Sequence, residues 1–114
     1  MAEGFNRKGL LDRVDGDREL LVDLFGDFVA DKDEHLEVAR TGVKEGNLDA
    51  IYDGAHALRG CVANFCAAGA FELATQLQQH ASEGRLDAAA KLLPQLESAI
   101  DQLTEALRSF VSEK

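Results

Sequence analysis

The stretch "LDAIYDGAHALRGCVANF", residues 48–65, decides the fold. Leu48, Ile51, Ala55, Leu58, Val62 and Phe65 recur at alternating spacings of three and four, which places them in one apolar seam along a helix. On a helix advancing about 100° per residue, His56 lies roughly 140° from the middle of that seam and faces solvent. Gly60 follows on the same outer face one turn later, together with Asp49, Asp53 and Asn64, while Arg59 lies on the flank with its guanidinium in reach of the imidazole.

Working outward, apolar residues keep helical spacing almost from end to end, and neither period-two alternation nor clusters of β-branched residues interrupt them. A short first helix is expected over Arg7 to Val14, ending at "VDGD", where Asp15 or Asp17 can cap the next. That second helix runs from about Arg18 to Lys44, with Leu21, Leu24, Phe25, Phe28, Leu36, Ala39 and Val43 inward. Two connectors echo each other, "EGNLDA" at 45–50 and "EGRLDA" at 83–88. Each offers a glycine for a left-handed C-cap, followed by Asn47 or Asp87 as the candidate N-cap of the next helix. The likeness stops at the connectors, so it is hairpin chemistry and not an internal repeat, and it implies antiparallel neighbours.

A break around Ala67 to Gly69 separates the third helix from a fourth that turns Ala70, Leu73, Ala74 and Leu77 inward. The fifth begins near Asp87 and keeps Ala89, Leu93, Leu96, Ile100, Leu103, Leu107 and Phe110 in register. Pro94 falls inside that pattern and is expected to kink the helix or delay its start. Four long helices, each with one apolar stripe, predict an all-α fold: an antiparallel four-helix bundle with a short extra N-terminal helix, one domain over residues 1–114.

Composition narrows the function. A formal charge of -9 disfavours nucleic acid and anionic membrane surfaces and leaves proteins as the expected partners. The N-terminus has no apolar signal-peptide core, and the longest charge-free run, Gly60 to Phe71, is too short to span a bilayer, so a cytoplasmic chain is expected. Cys61 and Cys66 are five residues apart and point in different directions on a helix, so they read as reduced small hydrophobes. No Gly-rich phosphate loop is present, and a di-metal bundle would need paired Glu-x-x-His motifs where this chain has a single outward Asp53-to-His56 pair; no metal site is predicted. His35 falls near the inner stripe of the second helix, a packing position, and His80 falls in the last turn of the fourth, where a cation complements exposed carbonyls.

His56 keeps different company. A mid-helix glycine costs about 1 kcal/mol relative to alanine, so Gly60 is useful only if the missing side chain matters. Bare backbone beside an exposed imidazole lets another macromolecule approach the ring. A neutral imidazole is a nucleophile, and Arg59 supplies a fixed positive charge for an anion bound to it, for which a phosphoryl group is the natural candidate. Asp53 opposes this by repelling phosphate. Set against this chemistry, a surface histidine near an arginine is in most proteins a solvated side chain. Gly54, at the edge of the seam, is explained by close helix packing.

"AHALRGCVANFCA", residues 55–67, resembles the signature of histidine-containing phosphotransfer (HPt) domains: histidine, any residue, leucine, lysine, glycine, small residues, an apolar residue and glycine-alanine. The flanks "LLDRVDGDRELLVDLFGDFVADKDEHL" and "LATQLQQ" resemble the family's entry into its second helix and its fourth helix. The resemblance implies that His56 is the phosphoacceptor, that Arg59 stands at the usual lysine supporting the phosphoryl group, and that Gly60 opens access for the partner. It also implies that Gln78 orients the imidazole through its Nδ1 proton, with Gln79 a close alternative, and that Ala57, Gly60, Ala63 and Asn64 form the docking face. Receiver domains of response regulators, or a hybrid sensor histidine kinase, would be the partners. The chain would be a transiently binding monomer without kinase activity or a cofactor, Mg²⁺ being expected in the receiver. Cys66 stands where the family has a glycine, which shifts the expected turning role to Gly69. The alternatives are a helical interaction module without phosphotransfer, a metal-binding bundle, and the phosphorylated domain of a chemotaxis-type histidine kinase.

Overall fold

The computed structural model describes residues 4–113. Its helices are α1 (Arg7–Arg13), α2 (Arg18–Glu45), α3 (Leu48–Ala63), α4 (Ala68–Ser82) and α5 (Leu86–Ser112), and the described residues contain no strand. α2 packs on α3, α3 on α4, α4 on α5, and α5 back on α2, closing a four-helix bundle of 45 × 25 × 19 Å. The predicted stripes supply its centre: Leu21, Leu36, Ala39, Ile51, Leu58, Val62, Leu77, Leu96, Ile100 and Leu107 are at most 1% exposed. α1 adds Leu10 and Val14 to this core, and the Asn6 amide donates to the Cys66 carbonyl at 3.1 Å, which ties α1 to the α3–α4 turn.

Caps fix most of the ends. Asn6, Asp17 and Asn47 each accept a backbone N–H through their side chains, at 2.8, 3.1 and 3.1 Å. Gly46 ends α2 in the left-handed conformation at φ 68°, and Gly84 follows α4 at φ 75°.

The second connector departs from the first. α5 starts from Arg85 without a side-chain cap, and Asp87 lies two residues too late, inside the first turn, where its charge still favours the positive end of the helix. Pro94 neither delays nor interrupts α5, which runs unbroken from Leu86. Ala89, Leu92, Leu93, Leu96 and Ile100 are buried on both sides of the proline, and that packing holds the helix through it. Lys32 is another departure: only 7% exposed within the inner stripe of α2, it places its Nζ 3.0 Å from Asp33 Oδ1.

Between α3 and α4 the chain turns at Cys66 and not at Gly69. Cys66 takes φ 55°, in the left-handed region, and Gly69 is already inside α4. The turn follows the last buried residues of the seam, Val62 and Phe65, so packing sets its place and the side chain at 66 conforms. Phe65 meets Phe28 of α2 edge-on, with ring centroids 5.2 Å apart, which anchors the end of α3 just before the turn.

Candidate functional site

α3 carries the site because α2 comes close on one side of it. A Cβ on Gly54 would stand 3.0 Å from the Ala39 nitrogen and 3.0 Å from the His35 carbonyl oxygen; the glycine is there for contact with the α2 backbone. Gly42 makes the reciprocal approach, where a Cβ would meet Ile51 Cγ1 at 2.8 Å. With that side pressed on α2 and the seam turned to the core, His56 is exposed, as the helical wheel predicts. Gly60 is exposed too, and a Cβ added there would meet nothing within 4 Å.

The remaining docking residues are less open. Ala57, Ala63 and Asn64 are half-buried, and Asn64 lies past the end of α3 as its C-cap, with Oδ1 accepting from Arg13 Nη2 at 3.4 Å. α1 thus covers part of the face that a wheel for α3 alone leaves free.

Two aromatic rings at the site, one beside His56 and one beside Arg59, escape the sequence reading. Tyr52, one turn before His56, lies parallel to it, with centroids 6.3 Å apart and planes 2° from parallel. The spacing of four residues was a legible signal for this pair. Arg59 does not turn toward His56: its Cζ lies 4.9 Å from the centre of the Phe71 ring on α4. Phe71 could not be found from spacing, because the contact exists only once α4 has packed against α3.

Gln78 lies with Tyr52, Arg59, Thr75, Gln79 and Ser82 in a groove of about 240 Å³ between α3 and α4. Its Oε1 is buried and has no hydrogen-bond partner among the described residues, so a bond from Gln78 to the His56 ring is not formed in this structure. Gln79, the alternative, is exposed. A neighbouring groove of about 410 Å³ is lined by Asn6, Ala63, Cys66, Ala67, Ala68 and Phe71. A larger groove, about 780 Å³, lies elsewhere, between α4 and α5; its ionisable lining residues are Asp101 and Glu105.

The other reactive side chains stay apart from this arrangement. His35 is half-buried with its backbone against Gly54, a packing position. His80 Nδ1 accepts from Arg85 Nε at 3.2 Å, in the last turn of α4. Cys61 and Cys66 are free and half-buried; burial, and then the negative charge of Asp31, push the Cys61 thiol up from its ordinary range. No group of three or more His, Cys, Asp and Glu among the described residues could hold a metal ion, and no helix there is long and apolar enough to cross a membrane.

The site thus sets an exposed imidazole beside open backbone, with Arg59 and Gln78 lining the adjoining groove. The fold matches the crystal structure of histidine-containing phosphotransfer protein B (HptB) from Pseudomonas aeruginosa PAO1 with a TM-score of 0.89, at 21% identity, over 97% of this chain and 96% of that one. No curated protein matches the sequence. The pattern of the Hpt domain matches residues 23–106, a span that holds α3, α4 and His56. The chain therefore belongs to the Hpt domain family and serves histidine phosphotransfer in phosphorelay signalling.

Proposed function

We propose that His56 is the phosphoacceptor and that the chain shuttles a phosphoryl group between aspartates of response-regulator receiver domains, or from a histidine kinase to a receiver. The observation that carries the proposal is the exposed imidazole on the outer face of α3, next to a Gly60 over which a Cβ would meet nothing within 4 Å. In the accepting step Nε2 attacks the phosphorus of a phosphoaspartate. The N–P bond forms as the P–O bond breaks, and the carboxylate leaves with the electron pair. The donating step is the reverse, toward the aspartate of the next receiver.

This chain contributes position more than chemistry. Gly60 lets the receiver surface approach, with Ala57, Ala63 and Asn64 at the edge of the same face. Gln78 Oε1, buried and without a donor, suits the Nδ1 proton of His56 once the imidazole leans over the groove, and that bond would leave Nε2 as the nucleophile. Arg59 supplies the cation that supports the phosphoryl group. Mg²⁺ and the acidic residues around it belong to the receiver, as the family resemblance implies. The chain acts as a monomeric phosphocarrier in the cytoplasm, with no kinase activity of its own, and binds its partners transiently.

Phosphoryl transfer from a panel of phosphorylated receiver domains to the wild type and to His56→Gln tests this, scored as acid-labile, base-stable label. Label on the wild type alone is the expected result. Receivers that bind without transferring label would make the chain an interaction module, and label persisting in His56→Gln would move the site.

A further inference from the structure

Arg59 is turned the wrong way for a group that supports a phosphate on His56. Its Cζ sits 4.9 Å over the Phe71 ring, and among the described residues it makes no ion pair or hydrogen bond. α3 and α4 run antiparallel: Tyr52 shares a groove with Gln78 and Ser82 near the end of α4, whereas Ala63 shares one with Phe71 near its start. The guanidinium therefore points along α3 toward Ala63, away from His56. Long side chains on a helix ordinarily lean toward its N-terminus, which here is the direction of the histidine. Attraction to the ring face turns Arg59 round.

Gln78 Oε1 lies buried in the groove that Arg59 also lines, without a donor. An amide oxygen has two lone pairs, so it can accept from a returning guanidinium and still accept from an imidazole N–H. Arg59 thus has one occupied seat on Phe71 and a free acceptor along the path to His56.

We propose that Phe71 is a positioning residue that seats Arg59 away from the bare imidazole, and that phosphorylation of His56 draws the guanidinium off the ring to the phosphoryl oxygens. The inference rests on His56 being the phosphoacceptor. A cation–π contact on a half-exposed ring is weaker than charge-assisted, bidentate hydrogen bonds from a guanidinium to a phosphoryl group. The ring holds Arg59 before the phosphoryl group arrives and loses it afterwards.

NMR of the full chain before and after phosphorylation with phosphoramidate tests this. In that reaction the P–N bond of the donor breaks as the bond from Nε2 to phosphorus forms; ammonia leaves with the electron pair and Nδ1 keeps its proton. In the bare chain the Phe71 ring current should move the δ-methylene and Nε–H protons of Arg59 upfield, and phosphorylation should remove that shift. Phe71→Leu should abolish the shift in the bare chain and speed phosphoryl uptake about two- to fivefold, the loss of one cation–π contact, while Phe71→Tyr keeps the wild-type behaviour. An upfield shift missing from the bare chain, one unchanged by phosphorylation, or uptake by Phe71→Leu equal to wild type overturns the proposal. A chain whose mass shows no added phosphoryl group, with phosphoramidate or a phosphorylated receiver as donor, instead defeats the His56 assignment and this inference with it.

Discussion

The rings of Tyr52 and His56 lie 2° from parallel, with centroids 6.3 Å apart, one turn from each other on α3. A lone surface imidazole turns freely among its rotamers; a parallel neighbour narrows them. Such a pair is worth about 0.5–1.5 kcal/mol, and Tyr52 is itself exposed, which favours the lower half of that range. Tyr52→Ala should therefore slow phosphoryl exchange with a receiver about two- to fivefold and lower the melting temperature by a few degrees, and Tyr52→Phe should restore both. Equal losses in both variants would assign the effect to the phenol hydroxyl and not to the ring.

His56→Gln should remove phosphotransfer and leave the fold alone. The imidazole is exposed, makes no hydrogen bond among the described residues and gives up only its contact with the Tyr52 ring, so chemical denaturation should place the variant within about 1 kcal/mol of wild type. A greater loss would mean that the imidazole holds the bundle together.

Glycines on α3 and α2 separate packing from access. Gly54→Ala puts a Cβ 3.0 Å from two backbone atoms of α2, and Gly42→Ala puts one 2.9 Å from the Ile51 nitrogen. Neither helix can yield locally, so an overpacking cost of about 1–3 kcal/mol should outweigh the gain of about 1 kcal/mol in helix propensity. Gly60→Ala meets nothing within 4 Å and should keep that gain, melting higher than wild type. If Gly60→Ala also binds receivers less tightly, the glycine serves the partner; unchanged binding would remove Gly60 from the docking face.

Cys61 ties stability to pH. Burial first, and Asp31 second, raise its thiol in the folded chain, so the unfolded chain loses this proton at lower pH than the folded one. Its contribution is whole below the unfolded thiol range, about 8.5, and is lost as pH rises through the folded value. Wild type should lose more stability between neutral and strongly alkaline pH than Cys61→Ala does, measured by denaturant midpoints. Equal slopes would show that the thiol is hydrated in the folded state.

Much of this was legible in the chain because one period governs it. The seam Ile51, Ala55, Leu58, Val62 and Phe65 is fully buried, and its orientation alone put His56 on the surface. Caps with a side-chain acceptor at the right offset, Asp17 and Asn47, were readable from local chemistry. What failed depends on other helices. Arg85, not Asp87, holds the place that Asn47 has in the first connector, the half-burial of Asn64 comes from α1, and the seat of Arg59 needs a ring that α4 brings. Lys32 breaks the apolar stripe of α2 and is buried all the same, because its neighbours Phe28 and Leu36 pack and its ammonium reaches Asp33.

Cys66 and Gly69 show most directly how packing overrides a residue's own preference. Cys66 stands at φ 55°, where a side chain costs about 1–2 kcal/mol, while Gly69 lies in α4 with nothing within 4 Å of an added Cβ. Cys66→Gly removes the strain and adds unfolded-chain entropy, so its stability should equal or exceed wild type by up to about 1 kcal/mol. Gly69→Ala should also stabilise, by up to about 1 kcal/mol, since it adds helix propensity at an open position. Were Gly69 the residue that turns the chain, its alanine variant would be clearly destabilised and Cys66→Gly would gain nothing; denaturant midpoints of the two variants decide between the two turns.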